Sequence, residues 1–229
     1  MQKHFLTTYA GYVKNPDGIA VNIKKMVQTE TDPQKNMNQN RSFFNRWAKS
    51  YDSAAFQFWM RHFQEPIFKE LDLKKKPKLL DISCGTGELL KKLQGKAQLY
   101  GVDLSEEMLA IARKKLSKNT TLLKADVHEL PFKDHLFDYV ISTEAFHHYH
   151  DQQKALHEMF RIAKIGGKVM IVDINFFLLP IHWLFQKLEP GCVKINSRKQ
   201  IKVLFEKAGL KNIRQQRSFL FAVMTIGEK

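Results

Sequence analysis

Apolar positions recur along this chain with two periods, and the switches between them divide most of it into alternating helices and strands. From Arg41 onward Phe43, Phe44, Trp47 and Tyr51 fall at three- and four-residue steps, as one buried helix face requires. Phe56, Trp59, Met60 and Phe63 continue that stripe, and Pro66 fits the first turn of a further short helix. Short apolar runs then mark strands at Lys78 to Ile82, Gln98 to Val102, Thr121 to Lys124, Asp138 to Ser142 and Lys168 to Ile174. Amphipathic stretches separate them. Glu88 to Leu93 is one, and a second follows Ser105 with Leu104, Met108, Ala112 and Leu116 as its inner stripe. A third runs from Gln152 to Ala163 with Leu156, Met159 and Phe160 inward. Ser105 and Ser197 stand where N-caps belong, and Gly209 ends the helix that carries Ile201, Leu204 and Phe205. Two final strands, Asn212 to Ser218 and Phe221 to Gly227, read as an antiparallel edge pair. The alternation predicts an α/β fold: a mostly parallel sheet with helices on both faces and an antiparallel last strand.

Residues 1–40 break this pattern. Asn15-Pro16-Asp17-Gly18 is a turn signal, and Gln28 to Asn40 is a polar stretch with Pro33 that reads as a linker. The expectation is an extension with little fixed structure over 1–40. The domain proper is expected over 41–229, with N-terminal helices at 41–76, and Met37 is an alternative start.

Composition changes the picture little. With 44% hydrophobic and 26% charged residues the 229-residue chain is ordinary globular protein. No apolar run approaches the roughly 20 residues that span a bilayer. Two cysteines, Cys84 and Cys192, make neither a disulfide framework nor a zinc site by themselves, and the reducing cytoplasm is the expected location. The net charge of +14 leaves room for an anionic partner such as RNA or a lipid head group. Its basic residues are scattered, however, as on a solvated surface.

The informative stretch is Asp81-Ile82-Ser83-Cys84-Gly85-Thr86-Gly87-Glu88, a strand, a turn of small residues and a helix. In a doubly wound sheet, ligands sit at the carboxyl ends of the strands beside such a turn, and the helix after it offers unpaired N–H groups. Asp103 ends the second strand, where a carboxylate can accept both hydroxyls of a ribose. Asp126 follows the third, where it can accept from an adenine amino group. Each acid alone reads equally well as a turn or cap residue, but three strand ends carrying acids in register point to a nucleoside ligand. Cys84 reads better as a small residue filling a tight turn than as a redox sensor.

These segments resemble those of the class I, Rossmann-like S-adenosylmethionine-dependent methyltransferases. Asp81 to Gly87 resembles their first motif, and Val102-Asp103-Leu104-Ser105 with Met108-Leu109 their second. Lys124-Ala125-Asp126 with Leu130-Pro131-Phe132, then Phe137-Asp138-Tyr139-Val140, resembles the third and fourth. Glu158 to Ile162 running to Gly166-Gly167 resembles the segment before strand five. The similarity covers roughly 41–229 and is greatest to the ubiquinone/menaquinone-biosynthesis type. Ser83 replaces a commoner glycine, and Ile165 stands where a proline usually precedes the glycine pair. The resemblance implies a seven-stranded sheet and S-adenosyl-L-methionine as cofactor. It places Asp81, Ser83 and Gly85, with Cys84 and Gly87 in the same turn, around the methionine part. Asp103 falls on the ribose, Leu104 and Met108 against the adenine, and Asp126 and Val127 at the adenine edge. Ser142 and Thr143 come under the sulfonium, and Tyr51 over the methionine carboxylate.

Methyl transfer from a sulfonium is a direct displacement that needs alignment and exclusion of water. A base is required only where the nucleophile arrives protonated. The segment after strand four, Ser142 to His150, supplies His147 and His148 as candidate bases with Glu144 to orient one of them. The structural alternative has one histidine packed on the cofactor wall and the other capping the next helix. Metal binding by His147, His148 and His150 lacks a supporting carboxylate, and no metal is expected. No Asn-Pro-Pro-Tyr or Asp-Pro-Pro-Tyr follows strand four, against methylation of adenine amino groups in nucleic acid. The residues 175–196 are strongly apolar (Phe176, Phe177, Leu178, Leu179, Ile181, Trp183, Leu184, Phe185) and read equally well as part of an acceptor pocket or as packing against the N-terminal helices. A small, hydrophobic or lipid-like acceptor is the leading expectation, with peripheral membrane contact compatible. An RNA methyltransferase and a noncatalytic cofactor-binding module are the alternatives.

Overall fold

Successive residues of a strand point to opposite faces of its sheet, and the central strands here are apolar on both sides. Leu79 and Ile141 belong to one buried cluster, whereas Leu80 and Val140 belong to the other. Both faces therefore need covering. A computed structural model describes residues 12–14, 20–22, 54–176, 179–189, 191–219 and 221–229. The Asn15–Gly18 turn, the linker at 28–40, Met37, the stripe from Arg41 to Tyr51, and Phe177 and Leu178 lie outside the described residues.

Two short strands, β1 (Tyr12–Lys14) and β2 (Ala20–Asn22), pair antiparallel by themselves. Helix α1 (Ala54–Glu70) follows, and Pro66 lies inside it rather than opening a new helix. Its inward residues Phe63 and Ile67 are fully buried on the sheet. Packing has outweighed the one backbone hydrogen bond that a proline removes. Then come β3 (Lys78–Ile82), α2 (Glu88–Lys92), β4 (Gln98–Asp103), α3 (Glu106–Lys115), β5 (Thr121–Lys124) and β6 (Phe137–Thr143). A 3₁₀ turn at Phe146–His148 leads to α4 (Gln152–Ile162) and β7 (Ala163–Ile174). The chain closes with α5 (Leu179–Leu188), α6 (Arg198–Lys207), β8 (Lys211–Phe219) and β9 (Ala222–Glu228).

The large sheet has seven strands in the order β5-β4-β3-β6-β7-β9-β8. All pairings from β5 to β7 are parallel, and β9 runs antiparallel to both of its neighbours. The expected architecture is present. Helices α1, α2 and α3 contribute to one core cluster, and α4 and α6 to the other. Ser105, Asp151 and Ser197 cap α3, α4 and α6 through their side chains, the last in a full capping box. On α3 the inner stripe uses Leu109 alongside Met108 and Ala112, while Leu104 keeps a partly open face.

Candidate active site

The chain runs outward from β3 to β5 and then returns to place β6 on the other side of β3. That reversal opens a crevice at the carboxyl ends of β3 and β6, the standard ligand position in an open α/β sheet. Asp81, Asp103 and Thr143 arrive there on neighbouring strands whose registers are fixed by the ladder.

The turn after β3 is tightly constrained. Ser83 (φ +56°), Gly85 (+53°) and Gly87 (+80°) all lie in the left-handed region. A Cβ on Gly87 would come within 2.8 Å of Leu116 Cδ1, so a side chain there would have to displace Leu116 as well as hold the left-handed φ. The Cys84 side chain is buried, and its sulfur lies where a Cβ on Gly101 would collide at 2.9 Å. Burial pushes its thiol well up, with Asp81 and Asp103 adding to the effect. A thiol kept protonated in this way is packing material rather than a sensor.

Asp103 ties two loops together. Gly85 N–H donates to its Oδ2 at 2.9 Å and Ser105 N–H to its Oδ1 at 2.8 Å. Burial nevertheless raises its carboxyl above the ordinary range, against the lowering by the N–H groups of Ser105, Gly85 and Leu104. Asp81 is 3% exposed, and its carboxyl is raised well above normal, first by burial and then by Asp103. Two desolvated carboxyls this close favour a ligand that brings positive charge.

Asp126 Oδ1 accepts from His128 N–H at 2.9 Å and lies 2.5 Å from His128 Nδ1. His128 Nε2 in turn accepts from Asp151 N–H at 3.3 Å, which leaves Nδ1 as the protonated nitrogen. His128 hydrogen bonding outweighs the opposing effect of burial and holds the Asp126 carboxyl low. Val127 is buried beside it. His150 stacks on His128 with ring centroids 3.7 Å apart, and so turns away from the other two histidines of its segment.

Tyr149 was not foreseen. Its hydroxyl lies 3.0 Å from Ser83 Oγ and 2.9 Å from Ser142 Oγ, so one phenol bridges the strained turn to the end of β6. Burial raises the Tyr149 hydroxyl pKa and keeps it protonated. Ser142 is fully buried with its hydroxyl committed to Tyr149, whereas Thr143 Oγ1 is buried without a hydrogen-bond partner. Glu144 takes a left-handed φ of +52° and donates its N–H to Val172 O at 2.8 Å.

His147 and His148 separate electrostatically. His147 Nδ1 lies 2.6 Å from Asp173 Oδ1, with both residues 1% exposed, and its Nε2 lies 3.3 Å from Glu189 Oε2. Burial opposes the charged form, but Asp173 and then Glu189 prevail and push His147 up to about 10. His148 Nδ1 donates to Gly191 O at 3.0 Å; burial, then the neighbouring His147, pushes it down to about 3. Neither caps the following helix, because Asp151 does so. Glu189 and Asp173 were both missing from the sequence reading, since nothing local to His147 points to a partner 26 or 42 residues away. A recess of about 380 Å³ lined by Lys75, Lys76, Lys78 and Lys164 lies at the opposite, amino-terminal edge of the sheet, remote from these acids.

Comparison with known proteins agrees with this geometry. Residues 80–171 match the family described as Methyltransferase domain. The demethylmenaquinone methyltransferase of Staphylococcus aureus is 30% identical over 236 aligned residues, covering 86% of this chain and 96% of the relative. Two solved structures share the fold. A chain in the complex of the Haloferax volcanii Trm112 methyltransferase activator superposes with a TM-score of 0.71 at 21% identity, over 81% of this chain and 96% of that one. A SAM-dependent methyltransferase from Aquifex aeolicus gives 0.65 at 23% identity, over 80% of this chain and 97% of that one. The cofactor these relationships imply, S-adenosylmethionine, carries both an ammonium and a sulfonium. It fits a crevice that holds two desolvated carboxyls and the buried, unpartnered Thr143 Oγ1. A strand-end aspartate, a left-handed glycine turn and an acid-lined crevice at the switch point thus coincide with the matched region, and the chain belongs to the class I S-adenosylmethionine-dependent methyltransferases.

Proposed function

We propose that this methyltransferase acts on a small hydrophobic acceptor of the hydroquinone type, presented with a lipid-like tail. The observation that carries the proposal is the segment after β7. On α5, Ile181, Leu184 and Leu188 are 41%, 51% and 70% exposed at i, i+3 and i+7, an apolar stripe left open beside the catalytic edge of the sheet. Behind it Phe176 stacks on Phe185 and Phe221 with centroids 5.1 and 5.3 Å apart. The name of the Staphylococcus aureus relative specifies a demethylated quinone as its acceptor, which is the same chemical class.

In this reading Asp103 would receive the ribose hydroxyls and the open face of Leu104 would flank the adenine, backed by the enclosed Met108. Asp126, with Oδ1 already held by His128, would use Oδ2 toward the adenine amino group, with Val127 alongside. Asp81 would balance the ammonium, Ser83, Gly85 and Gly87 would shape the methionine subsite, and Cys84 would pack beneath that turn. Thr143 Oγ1 would face the reacting methyl, and Ser142 would act only through Tyr149. Tyr51, outside the described residues, keeps its proposed place over the methionine carboxylate. The bound cofactor supplies an activated methyl group, so the protein's contribution is alignment and dryness. Glu144, His147 and His148 would stand toward the acceptor and orient its hydroxyl.

The test is methyl transfer from radiolabelled S-adenosylmethionine to a reduced polyprenyl-naphthoquinone in detergent, run beside total tRNA. Label extracted into organic solvent with the quinol supports the proposal. Label in acid-precipitated RNA, or no transfer to quinols by protein that binds the cofactor, overturns it.

A further inference from the structure

The 3₁₀ turn after β6 and the carboxyl end of α5 meet at three side chains, His147, His148 and Glu189. Each imidazole is anchored through Nδ1. His147 Nδ1 is held 2.6 Å from the buried Asp173 carboxylate, and His148 Nδ1 donates to Gly191 O at 3.0 Å. Both rings then present Nε2 toward one carboxylate, at 3.3 Å from Glu189 Oε2 for His147 and 3.8 Å from Oε1 for His148. The shorter contact is not aligned as a hydrogen bond, and His147 Nε2 and Glu189 Oε2 are both buried without a hydrogen-bond partner. One ligand atom from each of the three residues lies within 4.8 Å of the others. In a tetrahedral zinc site with bonds of about 2.0–2.1 Å, ligand atoms stand about 3.3 Å apart, so side-chain adjustment alone brings this set into range.

We infer that His147, His148 and Glu189 form a binding site for a divalent transition-metal ion of the zinc type. Two imidazoles whose outer nitrogens are fixed by a carboxylate and a carbonyl are the usual orienting arrangement around such an ion. Two histidines and one glutamate leave a fourth position open, as in catalytic rather than structural zinc sites. Once both imidazoles bind through Nε2 as neutral ligands, Asp173 and Glu189 contribute two negative charges to an enclosed space, which a divalent ion neutralises. The sequence alone argued for no metal, because His150 was the third candidate and no carboxylate was in view. The structure turns His150 onto His128 and supplies Glu189 from just past the end of α5 instead. The ligand class for the open position is a hydroxyl or enol oxygen. That last step rests on the acceptor reading above, whereas the metal site does not.

The full chain, stripped with a chelator and exchanged into chelator-free buffer, is titrated with zinc chloride by calorimetry and with cobalt(II) by visible absorption. The site predicts one equivalent of either ion and cobalt bands of tetrahedral intensity. It also predicts at least about tenfold weaker zinc binding in Glu189→Gln, and about tenfold to hundredfold weaker binding in Asp173→Asn, which removes only the orienting group. Retained S-adenosylhomocysteine binding confirms that each variant is folded. Wild-type protein that binds S-adenosylhomocysteine but takes up no stoichiometric metal overturns the inference, as does zinc binding unaffected by Glu189→Gln. Neither result depends on finding the acceptor, so a failed quinol assay leaves the metal site standing.

Discussion

At Gly87 a single hydrogen in place of a methyl group lets the cofactor turn form without strain. The residue combines φ +80° with a 2.8 Å approach to Leu116 for any Cβ, so alanine meets both backbone strain and overpacking. Gly87→Ala is expected to lower stability by about 2–3 kcal/mol, measured as a shift in urea midpoint at unchanged slope. The acids act through charge instead. Asp81 and Asp103 have carboxyls raised by burial, Asp81 also by Asp103. The folded apo-protein therefore holds protons that the unfolded chain releases, and its stability falls as pH rises from the ordinary aspartate range through the raised values. A cationic ligand prefers the ionised acids, so cofactor affinity should rise with pH over that same window. Calorimetric titrations of S-adenosylmethionine between acid and neutral pH check the sign; affinity falling with pH would refute it. The acids and glycines were legible because strand ends and turns are local features. Tyr149, whose hydroxyl joins positions 66 residues apart, was not, since a lone tyrosine carries no local mark of its partners.

Among elements, the loop between β5 and β6 shows how a motif acquires its physical meaning. Arg161 at the end of α4 donates to Leu130 O at 3.0 Å, Phe132 O at 2.7 Å, and Asp134 Oδ1 at 2.8 Å. It also grips both oxygens of Glu158, one of which accepts from Leu130 N–H at 2.8 Å. The Leu130-Pro131-Phe132 and Glu158–Ile162 segments, separate in sequence, are thus one clamp that closes the loop after Asp126. Arg161→Met should cost about 3 kcal/mol, because it leaves the carbonyls and Glu158 without their charged donor; urea unfolding measures it. The periods of the strands and of α3, α4 and α6 predicted their placement well, since each buries one regular face. Pro66 misled because a proline reads as a start signal locally, while the burial of Phe63 and Ile67 on either side of it holds a single helix together.

For the molecule as a whole, the order of strands matters more than any one of them, since the crevice exists only where the chain reverses direction beside β3. Sequence periodicity gave the alternation of elements, and the resemblance gave the sheet. The surroundings of His147 were less legible, because they are assembled from the end of α5, the 3₁₀ turn and β7, which approach one another only in the folded chain. Among the described residues no helix is long and apolar enough to cross a membrane.

The most direct test of the account is the affinity of the full chain for S-adenosylmethionine, compared with that of Asp103→Ala by calorimetry. One-to-one binding is expected for the natural sequence, with at least about a tenfold loss in the variant, the equivalent of one charge-assisted hydrogen-bond pair. Equal affinities in two folded proteins would show that the cofactor does not rest on the end of β4, and would contradict the assignment of the crevice.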